Sequence, residues 1–466
     1  MAKRTFSDQS MAYGSFLSLL IHILIVFMAI ETIGFKMKLI PRYSIDTELF
    51  PKNLTLEEKH HRIVQLSRAR ALHFSSKISA AAINSTKGTS GEIPDTLQPR
   101  IQRMLTSLYV AQINVGPRPY TPYLLLDTGS DDTWFQCEGC INCFPLAGGN
   151  YNYHESRKYR VLSCDHPLCL PKICARELCV YNWMYAGGQL TSGFLSTDNF
   201  TFPDNEGFVS FENVIFGCGF DSKNIMFGGP LGPNNVIAGL LALGAGKRSI
   251  LKLLEPATQL RFSYCLQSWI TDESVRTYLR FGPDAQISAQ AQTTLMVPAG
   301  LPRYYVSCVG ISIAGARLQI DPSLFEMKPD RSGGFAIDSG TGQTFLIKDV
   351  FVTVAYSVFR YFQQYQMNPI SGERLPYNLC YRNPPSENFA KPSMTYHFQG
   401  ADLELDDRRV FQNFDDRNMF CLVILPSSDK EGPSCIFGAF QQTDFRFLFD
   451  VRANAISFVP EICNNN

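Results

Sequence analysis

Charge is scarce in this chain, and none of it is surplus. Charged side chains occupy 18% of the 466 positions, below the roughly one quarter usual in soluble proteins. The 42 basic residues match 42 acidic ones, so the electrostatic footprint of a nucleic-acid binder is missing. Beyond residue 30 there is no apolar run long enough to cross a bilayer. No cysteine precedes residue 137. The length excludes a small scaffold that depends on staples, and an apolar share of 45% excludes a largely disordered chain.

What is present is unevenly placed. Residues 1–30 carry a balance of +1, residues 31–100 hold 11 basic and 7 acidic side chains, and the remainder is acidic by five charges. A basic front and an acidic body suggest two parts with different fates. Lys3 and Arg4 precede an apolar stretch from Phe16 to Ile30. As a helix this stretch is about 22 Å long, short of the roughly 30 Å hydrocarbon core. It reads as a secretory signal peptide, with an uncleaved anchor as the alternative.

The cysteines fit secretion. There are 14, an even count, with Cys137, Cys140, Cys143, Cys164, Cys169, Cys174 and Cys179 crowded together. The C-x2-C-x2-C start admits a metal reading. An exported chain meets an oxidising compartment, so disulfides are expected, no metal is assigned and no cofactor is implied. Sequons at Asn53, Asn84 and Asn199 are glycosylation candidates on the same route.

Residues 56–72 have helical apolar spacing behind Thr55 as N-cap, with Glu57 and Glu58 in the first turn. A small-residue, linker-like stretch follows to Gly91. From about residue 105 the chain becomes all-β: short runs of Val, Ile, Phe, Tyr and Thr broken by Gly, Pro, Asn and Asp. Examples are Tyr109 to Val115, Tyr123 to Leu126, Tyr304 to Ile313 and Phe445 to Phe449. Lys348 to Tyr365 is the clearest helix.

One motif occurs twice. An apolar run leads into Asp127-Thr-Gly-Ser, and a second leads into Asp338-Ser-Gly-Thr, about one domain later. Two related halves, each delivering one aspartate, is the simplest reading. A buried strand ending in Asp holds a carboxylate where charge is costly. Thr128 or Ser339 can bond nearby backbone, and Gly129 or Gly340 allows the sharp turn. Two such carboxylates facing one another would share a proton. One could then activate a water while the other polarises a carbonyl. A lone D-[ST]-G is usually a turn; the repetition is what argues for chemistry.

These residues resemble the pepsin family of aspartic proteases, in its plant nepenthesin-type branch, over roughly residues 105–463. The likeness extends to Trp134, the cysteine-dense insert up to Cys179, Phe216-Gly-Cys-Gly219, Phe262-Ser-Tyr-Cys-Leu266 and Tyr304-Tyr-Val306. It continues through Leu379-Cys-Tyr381, Ile436-Phe-Gly438, Gln441-Gln442 and Cys463, and Lys38 to Ser44 is similar to the branch's prosegments. The resemblance implies a bilobal all-β fold, with Asp127 and Asp338 at the floor of a cleft between lobes. Thr128 and Ser339 would cross-brace the loops, and Tyr185 would ride a flap above Trp134. It further implies a signal peptide over 1–30, prosegment and linker over 31–100, and lobes over 101–297 and 298–466. Cys218, Cys265, Cys380, Cys421 and Cys463 would join the insert's seven cysteines in disulfides. The expected product is a secreted, monomeric endopeptidase acting on polypeptides at acidic pH. It would leave no membrane span after processing, and vacuole or plastid are other possible destinations. Its prosegment would lie across the cleft as an intramolecular inhibitor, Arg and Lys beside cleft carboxylates. Acid would charge His60, His61 and His73 and loosen it.

Several positions depart from that pattern. The flap reads Tyr185-Ala-Gly-Gly-Gln189 in place of Tyr-Gly-Asp-Gly-Ser. Ala242 stands where a glycine is usual, so its methyl is expected to crowd the Asp127 loop. Thr341-Gly342 replaces Thr-Thr, and Gly116-Pro-Arg-Pro119 replaces Gly-Thr-Pro-Pro. Cys308 and Cys435 are extra, either a seventh disulfide or two buried thiols. These departures support an alternative, a catalytically weak binding or inhibitor protein of plant defence. A two-carboxylate glycosidase has only the paired acids in its favour.

Overall fold

The computed structural model describes residues 34–42, 53–68, 71, 109–170, 173–185, 189–203, 207–225, 227, 231–268, 277–371, 375–384, 389–427 and 435–463. The architecture is all-β and bilobal. Among the described residues a 21-stranded sheet runs through the molecule, accompanied by a 4-stranded and a 3-stranded sheet. The run from Tyr109 divides into Tyr109–Gln112 and Asn114–Val115. The run from Tyr304 divides at Ser307 into Tyr304–Val306 and Cys308–Ile313. The helix read from Lys348 spans Lys348–Gln363 and buries Val350, Phe351, Val354, Val358 and Phe362, one stripe at helical spacing.

The halves repeat one arrangement. Strand Tyr123–Asp127 runs parallel to Ile237–Ala242, with Asp127 opposite Ala242. Strand Phe335–Asp338 runs parallel to Cys435–Gly438, with Asp338 opposite Gly438. In each half the second strand also pairs antiparallel with a short one, Trp134–Gln136 or Thr344–Leu346. The strands that deliver the aspartates are buried along nearly their whole length. That is why they read as continuous apolar runs rather than alternating ones.

The front segment is built into this frame. Phe35–Pro41 lies between Tyr109–Gln112 and Thr277–Phe281, antiparallel to both. Phe35, Met37 and Leu39 point inward, and Phe35 stacks on Phe281 at 4.4 Å between ring centroids. Residues 56–68 are helical. Thr55 caps them: the Glu58 N–H donates to Thr55 Oγ1 at 3.2 Å and the Thr55 N–H donates to Glu58 Oε2 at 2.8 Å, a reciprocal capping box. His73 and Asn84 lie outside the described residues. Asn53 is exposed just before the helix, whereas Asn199 is half-buried within strand Gln189–Pro203.

Twelve cysteines form six disulfides: Cys137–Cys218, Cys140–Cys143, Cys164–Cys174, Cys169–Cys179, Cys265–Cys463 and Cys380–Cys421. A seventh does not form. Cys308 and Cys435 are buried free thiols. They begin strands of different sheets: Cys308 pairs across to Phe398, while Cys435 pairs with Phe335. Burial raises both thiols, that of Cys308 to about 12, so neither is a thiolate at physiological pH.

Candidate active site

Each aspartate is held by its own loop in the same way. The Gly129 N–H donates to Asp127 Oδ1 at 2.8 Å, and Ser130 Oγ donates to Asp127 Oδ2 at 2.7 Å. The Gly340 N–H donates to Asp338 Oδ1 at 3.0 Å, and Thr341 Oγ1 donates to Asp338 Oδ2. Both aspartates are almost fully buried, at 3% and 0% exposure. A backbone donor on one oxygen and a hydroxyl on the other fix the carboxylate plane before any substrate arrives.

The loops meet at Thr128. Its Oγ1 accepts the Ser339 N–H at 3.0 Å and the Ser339 hydroxyl at 3.3 Å, and it approaches Asp338 Oδ1 at 3.4 Å. The residue after Asp127 thus sits against the carboxylate of Asp338, bringing the two loops face to face.

A second layer supports each loop. Thr133 Oγ1 accepts the Ala242 N–H at 3.1 Å, and Thr344 Oγ1 accepts the Gly438 N–H at 3.0 Å. Both threonines lie six positions after their aspartate, and the hydroxyls of Ser130 and Thr341 lie three after. Ser130 and Thr341 stand fourth in the repeated motif but carry no role in the sequence reading, and Thr133 and Thr344 lie beyond it; extending the internal comparison to equal offsets finds all four. The crowding expected from Ala242 is absent. Its methyl is accommodated at 0% exposure, and every hydrogen bond of the Asp127 loop described above is intact. The close approach exists in the other half, where a Cβ on Gly438 would meet the Gln343 backbone at 2.4 Å.

Trp134 is fully buried, facing Phe144 edge-on and stacked with Phe227. It packs beneath Gly217, where an added Cβ would meet both Trp134 and the Tyr181 ring. Tyr185 closes strand Leu178–Tyr185 opposite Gln189, at the end of a long hairpin. Its side chain and the tip, residues 186–188, lie outside the described residues. The thiols of Cys164, Cys169 and Cys174, close enough together to suggest a metal, are taken up in two disulfides.

The front helix packs near the second loop. Ser67 Oγ accepts the Gln343 N–H at 2.9 Å, five residues after Asp338. His60 Nδ1 meets the Tyr377 hydroxyl at 2.8 Å in full burial, and Glu57 pairs with Arg417 at 2.5 Å. Burial pushes the His60 imidazole down to about 3. The expectation of front-segment cations against body carboxylates is reversed in this pair: the acid belongs to the front segment and the cation to the body.

Comparison with known proteins agrees with the geometry. Family models described as xylanase inhibitor N-terminal and C-terminal match residues 109–283 and 303–460. Aspartic proteinase nepenthesin-1 of Nepenthes gracilis is 30% identical over 362 residues, covering 76% of this chain and 78% of that protein. Among solved structures, that of EDGP superposes with a TM-score of 0.64 at 17% identity, over 77% of this chain and 92% of that one. Soybean basic 7S globulin gives 0.58 at 16% identity, over 76% and 92%. The last two likenesses concern the fold. The chain belongs to the plant branch of the pepsin-like aspartic protease family.

Proposed function

We propose that the protein is an aspartic endopeptidase. One carboxylate of the Asp127–Asp338 pair takes a proton from a water held between them, and the other, protonated, polarises the scissile carbonyl. Polypeptides are the substrates, cleaved at acidic pH. The observation that carries this reading is that both aspartate loops are held by the same hydrogen bonds and joined through Thr128. The hairpin ending at Tyr185 serves as flap and Trp134 supports its base. The lobes divide near residue 297.

The reading includes a zymogen route. The six disulfides fit an oxidising compartment, and the start of the chain fits a signal peptide. Residues 34–42 and 53–68 dock on the body as part of the inhibitory front segment, and removal of a segment ending between about residues 75 and 105 gives the mature enzyme. Asn53 is the better placed glycan acceptor.

A second reading is a catalytically weak binding or inhibitor protein. The description of the matched family as xylanase inhibitor favours it, together with the altered flap at Ala186. The test is cleavage of denatured protein near pH 4 by the acid-treated protein, with pepstatin as control. Asp127→Asn and Asp338→Asn are expected to lower kcat by at least about a thousandfold, because removing one member of a unit disables it. Equal cleavage by variants and parent rejects the endopeptidase reading. A folded, pepstatin-insensitive and inactive parent favours the second.

A further inference from the structure

The segment after Ala242 grips the Asp127 loop rung by rung. The Gly244 N–H donates to the Ser130 carbonyl at 2.8 Å, and the Gly246 N–H donates to Asp131 Oδ1 at 2.7 Å. Arg248 then takes Asp132 with both arms of its guanidinium, Nε to Oδ1 at 2.5 Å and Nη2 to Oδ2 at 3.1 Å. Ser130, the first of these rungs, is the residue whose hydroxyl holds Asp127. The contact at Gly246 is tight, since a Cβ there would lie 1.8 Å from Asp131 Oδ2.

Arg248 does more than close this ladder. Its Nη1 donates to the Leu168 carbonyl at 3.0 Å and to the Leu170 carbonyl, on either side of Cys169. Cys169 is bonded to Cys179 in the first part of the flap strand. The guanidinium also lies 5.3 Å from the Trp183 ring centroid, two residues before Tyr185. The Arg248 side chain is 9% exposed and that of Asp132 is 16% exposed, so the pair works in a largely water-excluded setting. Guanidinium geometry suits this junction: a planar fork for a carboxylate, further N–H groups for carbonyls and a face for an aromatic ring. A lysine offers a point charge and cannot do all three.

We propose that Arg248 is a positioning residue that fixes the flap strand and the Cys-rich insert to the Asp127 loop. The catalytic side of this proposal rests on the endopeptidase reading; the mechanical side does not. With Arg248 in place, the flap base, the insert and the loop behind Asp127 move as one body. Without it, the flap loses its anchor while the Asp127–Ser130 bond remains.

The experiment compares parent, Arg248→Lys, Arg248→Met and Trp183→Leu. Amide hydrogen exchange is followed on the full secreted chain, and kinetics after acid treatment. The expected result is at least about fivefold faster exchange across residues 178–203 in both Arg248 variants, reflecting local opening. Arg248→Met also loosens residues 164–170, whereas Trp183→Leu, which leaves Asp132 paired, loosens the flap strand alone. In the kinetics, KM rises about tenfold with kcat within about threefold, the pattern of lost binding contacts rather than lost chemistry. Lysine does not restore it. Unchanged exchange in the flap, or full rescue by lysine, overturns the proposal. Faster flap exchange in the Arg248 variants of a parent that lacks pepstatin-sensitive cleavage removes the endopeptidase reading and leaves the mechanical coupling standing.

Discussion

At the scale of single residues the two halves have solved one problem differently. Gly438 leaves room for the Gln343 backbone, which passes within 2.4 Å of where its Cβ would stand. Ala242 occupies the matching place opposite Asp127 and fits. The two positions therefore differ in tolerance. Gly438→Ala forces the loop after Asp338 to move, an overpacking cost of about 1–3 kcal/mol. It is expected to lower Tm by several degrees and to depress kcat, because Gln343 belongs to that loop. Ala242→Gly adds backbone freedom at a cost of roughly 0.5–1 kcal/mol and leaves kcat unchanged. Thermal melts and kinetics on the pair check this; equal sensitivity of the two sites would refute it. The aspartates themselves were readable from sequence because a repeated local pattern carried them. Arg248 was not, because its partner Asp132 lies 116 residues away and nothing local marks an arginine as bidentate.

At the scale of elements, the front helix is the informative one. Its amphipathic spacing and Thr55 cap were visible in the sequence, since caps and periodicity are local. The strand before it was less obvious, although Phe35, Met37 and Leu39 alternate with Lys36 and Lys38 in a period of two. What no local signal showed is that this strand fills a place between Tyr109–Gln112 and Thr277–Phe281, a pairing across more than two hundred residues. The helix has a pH dependence with a definite sign. Buried against Tyr377, Gln412 and Phe414, His60 is held at about 3, below its ordinary value of 6.5, chiefly by desolvation. The Tyr377 hydroxyl is raised by burial and stays neutral in acid. The undocked helix takes up a proton as pH falls below about 6.5, and the docked one cannot. Docking is thus full above that value and weakens by up to about 1.4 kcal/mol for each unit below it. His60→Leu removes this penalty, so the midpoint pH for loss of the front segment is expected to fall by about one unit. Gel analysis of conversion against pH reads it, and an unchanged midpoint would show that other groups set the trigger.

At the scale of the whole molecule, the front segment contributes both a strand to the frame and a helix packed on it. Phe35–Pro41 completes the ladder joining Tyr109–Gln112 to Thr277–Phe281, and its inward side chains enter the main core. The helix packs against the other half through Ser67, His60 and Glu57. Cutting the linker between about residues 75 and 105 therefore separates the chain without separating the structure. Seven ladder residues and the core side chains of Phe35, Met37 and Leu39 still hold the strand in place, and each such side chain contributes about 1.5–3 kcal/mol of burial. A protein nicked in the linker at neutral pH is expected to run as one species on gel filtration, with both pieces present on a denaturing gel. Acidification is expected to loosen the helix first, through His60, and to leave the strand as the last contact. Exposed edges at Tyr109–Gln112 and Thr277–Phe281 would follow its departure, and open edges invite association. A chain begun at residue 105 is accordingly expected to be less stable and more prone to aggregate than the nicked complex. Release of the front piece on nicking alone at neutral pH would show that the strand contributes little to holding the two parts together.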